Sequence, residues 1–529
     1  MIALTASALR GFVLCFPLLC WCPQSALSQS FPVNDSVVRK IWSEGTDRSQ
    51  VYPLAQALAD SIGPRLFGSP AIRGGSDWLM ARYRSWGIPA RIEQHGTWRS
   101  WKRGISHVDL ISPRVRSLEA TMLAWSPGTK GKVQAPTIIL GDQPDSISFQ
   151  RWLPAVKGKV VLMSGALASC RPDSDLVRYA LPSTLDSMRK ERVDQSAAWN
   201  ARITRTGYTT RNLPTVLEQA GAVGILTSTW SGGWGVDRIF RARAEKIPGF
   251  DVSCEDYGLL YRLTENAQRP IVRLEAESQS LGVVPVFNTL AEIRGSEKPN
   301  EYVMLSAHFD SWDGASAATD NGTGTVTMME AMRILSRVYP HPRRTILVGH
   351  WSGEELGLVG SRAFAADHPE IVQNLYALFN QDNGTGRIQN LSAGGLLEAG
   401  THLARWFSLM PAQLTRGITL SIPGSPASGG SDNASFACYG APAFNLGSLD
   451  WNYGTYTWHT NRDTFDKIVF DDLRNNAILA ATLAYLASED PGPMISRDAR
   501  ANLYDQRTGA DATWPACSKP PRTWEESTR

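Results

Sequence analysis

Acid and imidazole side chains recur just past the apolar runs in the second half of the chain. His308 and Asp310 follow the run 302–307 (YVMLSA), Glu354 and Glu355 follow 345–349 (TILVG), and Asp382 follows 375–379 (LYALF). Asp320 stands in Thr319-Asp320-Asn321-Gly322, and His459 in Trp458-His459-Thr460. Oxygen and nitrogen ligands of this kind suit zinc. Taken singly, each has a plainer explanation. His308 reads as a satisfied core histidine, Asp320 as a helix N-cap, and Glu354-Glu355 as acids that favour a helix N-terminus. Together they sit where the sites of open α/β sheets form, outside the carboxyl ends of the strands. Burying so many carboxylates side by side is prohibitive unless a cation offsets their repulsion. Other catalytic signatures are missing. The sequence has no H-E-x-x-H, no G-x-S-x-G and no Walker-type loop.

The elements that must position these residues follow from pattern. The near-continuous apolar run 302–307 predicts a buried strand. Helical spacing over 325–338, a strand at 345–349, a helix over about 354–366, and strands at 375–379 and 441–446 continue the alternation. Such alternation predicts an α/β fold: a central, mostly parallel or mixed sheet with helices on both faces. Residues 35–90 read as helices broken by the turn-rich 63–70 (GPRLFGSP). Over 116–281 the texture changes to short β-branched runs at 137–140, 159–163 and 224–227 among Gly, Pro and polar loops. This predicts a strand-rich domain inserted into the main one. Within it, 217–223 reads as a helix running into a strand, 173–211 as a long polar surface excursion, and 230–235 (WSGGWG) as a flexible loop. The tail from 492 to 529 carries no assignable pattern.

Composition narrows the partners. At 529 residues the chain exceeds one ordinary core. Its 53 Lys+Arg nearly balance 50 Asp+Glu, and no basic stripe marks a nucleic-acid surface. Arg10, the apolar stretch 11–22 and Ala26-Leu27-Ser28 read as a secretory signal over 1–28, too short to span a bilayer. The mature chain is expected to be exported, periplasmic or secreted, with no membrane span. Cys170, Cys254, Cys438 and Cys517 remain after the signal, without a C-x-x-C pair. Disulfides are permitted, with Cys170–Cys254 preferred because both lie in the inserted region.

Four blocks carry a resemblance: Ser306-Ala307-His308-Phe309-Asp310-Ser311, Ala318-Thr319-Asp320-Asn321-Gly322, Ser352-Gly353-Glu354-Glu355-Leu356-Gly357-Leu358 and Trp458-His459-Thr460-Asn461-Arg462-Asp463-Thr464. They resemble the signature blocks of peptidase family M28, the co-catalytic zinc exopeptidases. With 63–69 and the inserted region they are most similar to its carboxypeptidase Q-like members, and 116–281 resembles a protease-associated (PA) domain. The resemblance implies a peptidase domain split into 29–115 and 282–491, holding two Zn2+ per chain. Asp320 would bridge the two ions, His308 and Asp382 would complete one shell, and Glu355 and His459 the other. Asp310 would orient His308 through its second ring N–H, and Glu354 would act as general base. Tyr453 or Tyr456 would donate to an oxyanion. The block 431–436 lines the substrate pocket in relatives, which places Asp432 and Asn433 there. Asn433 stands where many relatives have His, which bears on specificity.

The expected activity is hydrolysis of short peptides or dipeptides. Carboxypeptidase action, with Arg387 or Arg462 receiving a terminal carboxylate, stands slightly ahead of aminopeptidase action. A non-catalytic binding protein on the same scaffold is the alternative of another class. A peptide substrate is the expected partner, and a second copy of the chain is left open.

Overall fold

The computed structural model describes residues 34–504 and 510–528. The signal-like segment lies outside the described residues.

Two long antiparallel strands, Ala90–Ser112 and Ile271–Ile293, form the spine. The C-terminal half of Ile271–Ile293 pairs with Arg344–Trp351, and its N-terminal half pairs with Val133–Ile139. One sheet therefore runs through both halves of the molecule. On one side of the spine, Lys298–His308 lies between Arg344–Trp351 and Leu375–Asn380, parallel to both, and Ala443–Ser448 pairs parallel to Leu375–Asn380. On the other side, Val133–Ile139, Val160–Leu162, Gly224–Thr227 and Gly249–Val252 run parallel in that order.

The central strands are buried on both faces because their alternating side chains feed two cores. Val303, Leu305, Ile346 and Val348 pack with the helices Thr323–Val338 and Phe470–Glu489. Met304 and Leu347 point the other way, to Phe364 and Ile371 of Val359–Asp367 and Pro369–Gln373. The predicted α/β class with helices on both faces is what the structure shows. The second half of the sheet has an apolar cluster of its own, with Leu140, Phe149, Val161, Ile203, Leu213 and Leu217.

Three local expectations change. The polar excursion is helical, chiefly Pro182–Arg205, a surface helix whose only buried residue is Ile203 and which carries the i,i+4 pair Lys190–Asp194. Asp320 does not open a helix: its φ of −121° and ψ of 93° are extended, and the helix begins at Thr323. Glu354 and Glu355 lie on a separate 3-10 turn, Glu354–Leu356, with the α-helix starting at Val359.

The unassigned tail returns to the body. Cys517 is bonded to Cys438, and Trp524 is buried with its ring 5.2 Å from Trp125 and 5.9 Å from Trp98. The preferred pair Cys170–Cys254 also forms a disulfide.

Candidate metal centre

Three parallel strands end at one point. His308 is the last residue of Lys298–His308, and Asp382 lies two residues past Leu375–Asn380. After Arg344–Trp351 the chain turns at Gly353, whose φ is +78° and where a Cβ would stand 3.0 Å from the Phe67 ring. Glycine is needed there, and the turn it permits presents both glutamates.

Asp320 faces two histidines at once. Its Oδ1 is 3.4 Å from His308 Nε2, and its Oδ2 is 3.3 Å from His459 Nε2. His308 Nε2 is also 3.1 Å from Asp382 Oδ1, and His459 Nε2 is 2.8 Å from Glu355 Oε2. Ligand atoms of His308, Glu354 and Asp382 lie within 4.8 Å of one another, as do those of Asp320, Glu355 and His459. The five predicted ligands and Glu354 thus converge.

The imidazole of His308 is oriented from behind. Its Nδ1 is 3.0 Å from the main-chain oxygen of Asp310, and a carbonyl can only accept, so Nδ1 carries the proton. Its Nε2 is then turned towards Asp320 and Asp382. The carboxylate of Asp310, expected to be this acceptor, is 3.7 Å away and instead accepts the main-chain N–H of Glu354 at 3.1 Å. In the tight turn after the strand the carbonyl is simply closer.

As bare protein the arrangement is electrostatically unresolved. Asp310 Oδ2, Asp320 Oδ2 and Glu355 Oε1 are buried without a hydrogen-bond donor among the described residues. Burial, then the charges of Asp382, Asp432 and Glu355, pushes the Glu354 carboxyl well above the usual range. Burial, then Asp320, Asp310 and Asp382, does the same to Glu355. Burial lowers His459 to about 4, so it presents neutral imidazole. Acids and imidazoles crowded this closely need either shared protons or a cation between them, and the donor set is one that divalent cations of this class accept. The residues fit a metal.

Two supporting residues escaped the sequence reading. Asp463 accepts from Thr319 N at 2.7 Å, Thr319 Oγ1 at 2.8 Å and Asp320 N at 3.0 Å, and so fixes the backbone that aims Asp320. Arg65, fully buried, donates to the carbonyls of Phe309, Gly63 and Ala317 at 2.7, 2.8 and 3.1 Å. Its guanidinium is the cation behind the acids, although burial lowers its pKa to about 10. The turn motif 63–69 was the signal, but nothing local said where the arginine would point.

Aromatic rings enclose His459. Its ring stacks on Trp458 at 3.9 Å and meets Phe240 at 5.2 Å and Trp312 at 5.9 Å. The Gly-rich loop expected to be flexible is tied down, with Ser231 Oγ donating to Thr455 O at 2.7 Å and Gly235 O accepting from Arg462 Nη2 at 2.8 Å.

The predicted substrate residues divide. Tyr453 stands beside Asp320, its phenol raised by burial and then by the charges of Asp320, Asp382 and Glu355. Tyr456 packs instead against Gly233, 2.7 Å from where a Cβ would be. Asp432 is buried with neither oxygen partnered among the described residues, and burial, ahead of Asp382 and Asp310, lifts it to about 7. Asn433 is buried next to it. Arg387 is committed to Asp472 at 3.3 Å, and Arg462 to Gly235 and to Glu119 at 3.2 Å. Each arginine already pairs with an acid.

Residues 288–484 match peptidase family M28. Carboxypeptidase Q of Bos taurus is 24% identical over 84% of this chain and 86% of its own, and that of Homo sapiens is 24% identical over 70% and 73%. Among solved structures, the M28 peptidase precursor of Shewanella amazonensis SB2B aligns with a TM-score of 0.64 at 24% identity, covering 87% of this chain and 97% of that one. A zinc aminopeptidase of Bacillus subtilis aligns at 0.53 and 18% identity, covering 85% and 97%. The two structures share the fold seen here.

Proposed function

We propose that this M28 peptidase is an exported exopeptidase that holds two zinc ions and hydrolyses short peptides. The observation that carries the reading is Asp320, whose two oxygens face one histidine each. We assign Asp320 as the shared ligand, His308 with Asp382 to one ion, and Glu355 with His459 to the other. Bound there, the paired ions would supply Lewis acidity to the scissile carbonyl and to the attacking water.

The chain's own residues do the rest. Glu354, beside His308 and Asp382 and held by its main chain, takes the water's proton and gives it to the leaving amine as the C–N bond breaks. There it can hold that proton between the two transfers. Tyr453, kept neutral beside Asp320, donates to the developing oxyanion. Asp310 and Asp463 hold His308 and Asp320 in register.

Similarity to carboxypeptidase Q favours release of a C-terminal residue, or cleavage of dipeptides. Aminopeptidase action is the second reading, and Asp432 supports it, since an unpartnered carboxylate beside the centre is what a free α-amine would satisfy. Export is supported by the disulfides Cys170–Cys254 and Cys438–Cys517, bonds of an oxidising compartment. No described helix is long and apolar enough to cross a membrane. A PA-like inserted domain over 116–281 is supported by its separate apolar cluster.

Cleavage of one dipeptide in free, N-acetylated and C-amidated forms tests the assignment. Loss of cleavage on C-amidation alone is the expected result. Loss on N-acetylation alone assigns the aminopeptidase reading, and cleavage of internal bonds in long blocked peptides overturns both.

A further inference from the structure

Phe240 and Arg241 turn opposite faces of one short extended stretch to two different sites. Ala124 N donates to Phe240 O at 3.0 Å and Ala242 N donates to Ala124 O at 2.8 Å, which fixes the stretch. Phe240 meets His459 and Trp312, with ring centroids 5.2 and 5.6 Å apart. By the alternation of an extended chain, Arg241 faces away. It enters a cleft of about 690 Å³ that the metal centre does not share.

Arg99, Arg211, Arg241 and Arg243 line this cleft, against the carboxylates Glu245 and Glu525. The Arg241 guanidinium lies 3.5 Å from the centroid of the Trp524 ring, and that of Arg99 is 5.2 Å from the same ring. Arg99 pairs with Glu245 at 3.5 Å, but among the described residues neither Arg241 nor Arg243 forms an ion pair. Burial first, then the charges of Arg243, Arg211 and Arg99, lowers the Arg241 pKa to about 10, where it stays charged at neutral pH. Like charges gathered in a partly buried cleft are stabilised by a counter-ion, by the argument already applied to the acids of the metal centre.

We propose that this cleft binds an organic anion, in which a phosphate or carboxylate group meets Arg241 and Arg243 and an aromatic or apolar body lies along Trp125 and Trp524. The guanidinium fork matches both oxyanions. The volume is that of a site for an organic ligand and far exceeds a bare inorganic ion. The tryptophans give such a body flat surfaces to cover.

Calorimetric titration of the metal-loaded full chain at low ionic strength tests this. Phenyl phosphate is titrated in one arm and benzene-1,3-dicarboxylate in the other, and the arm that binds names the group. Saturable binding of at least one probe is expected, with Kd below about 1 mM. The Arg241→Ser/Arg243→Ser variant should weaken it at least ~10-fold. Glu245→Gln, which removes a competing carboxylate, should tighten it several-fold and serves as the deciding variant if the serine variant misfolds. Failure of both probes to saturate, equal affinity in the serine variant (which would place the anion elsewhere, including on the metals), or no tightening in Glu245→Gln overturns the proposal.

Discussion

The main-chain N–H of Ile239 donates to the main-chain carbonyl of His459 at 2.7 Å. A residue of the 116–281 segment thereby holds a candidate metal ligand that lies 220 positions further along the chain. His459 has a φ of +60°, a left-handed conformation uncommon for any residue but glycine. Such a backbone costs about 1–2 kcal/mol and persists only where its surroundings fix it.

Asn461 extends that grip. Its Oδ1 accepts from Asp237 N at 3.0 Å, and its own N–H donates to Asp237 O at 3.1 Å. Asn461→Ala is expected to cost about 1–2 kcal/mol of stability and to lower metal retention on the His459 side. Zinc content after dialysis should fall below that of the wild type while Asp382-side binding persists. Unchanged retention would mean that the inserted region does not support the centre.

Glu354→Gln keeps size and main chain while removing the proton carrier. Its kcat should fall by about 100- to 10,000-fold with metal content unchanged. Loss of metal in parallel with activity would instead make Glu354 a ligand.

Far from the centre, Asp490 sets an acid limit. Its buried carboxylate accepts from Arg405 Nη2, Trp406 Nε1 at 2.6 Å and Gly492 N at 2.8 Å. Burial opposes ionisation, but the hydrogen bonds of His402, Arg405, Gly492 and Trp406 outweigh it and depress the pKa. A depressed folded-state pKa means stability that is full above the unfolded value, about 3.9, and is lost as pH falls through the folded one. Denaturant unfolding from pH 6 downwards should show the loss below about pH 4. Asp490→Asn should flatten that limb and cost about 2–3 kcal/mol at neutral pH.

Cys438–Cys517 closes a separation of 79 residues and anchors the tail that brings Trp524 into the core. Cys517→Ser should lower stability by about 2–4 kcal/mol, read as a drop in denaturation midpoint under non-reducing conditions.

His308, Glu354, Glu355 and Asp382 were legible in the sequence as acids or a histidine just past apolar runs, while Asp320 and His459 stood out only within the blocks that carry the resemblance. The strands that carry them were legible for the same reason, since Val303, Met304 and Leu305 are apolar on both faces. What was not legible depends on distant partners. Arg65 reads as an ordinary turn residue until Phe309 and Ala317 receive its hydrogen bonds. Asp463 looks like a loop acid until Thr319 and Asp320 close on it. The tail has no periodicity because Trp524 is buried by aromatic rings from the spine and its neighbouring loop.

The zinc content of the purified full chain, beside that of Asp320→Ala, bears most directly on the centre. With Asp320 shared between the ions, the wild type should carry about two zinc per chain and the variant fewer than about one, and chelator should remove both metal and peptide hydrolysis. A wild type that hydrolyses peptides while metal-free, or an Asp320→Ala chain that binds as much zinc as the wild type, would contradict it.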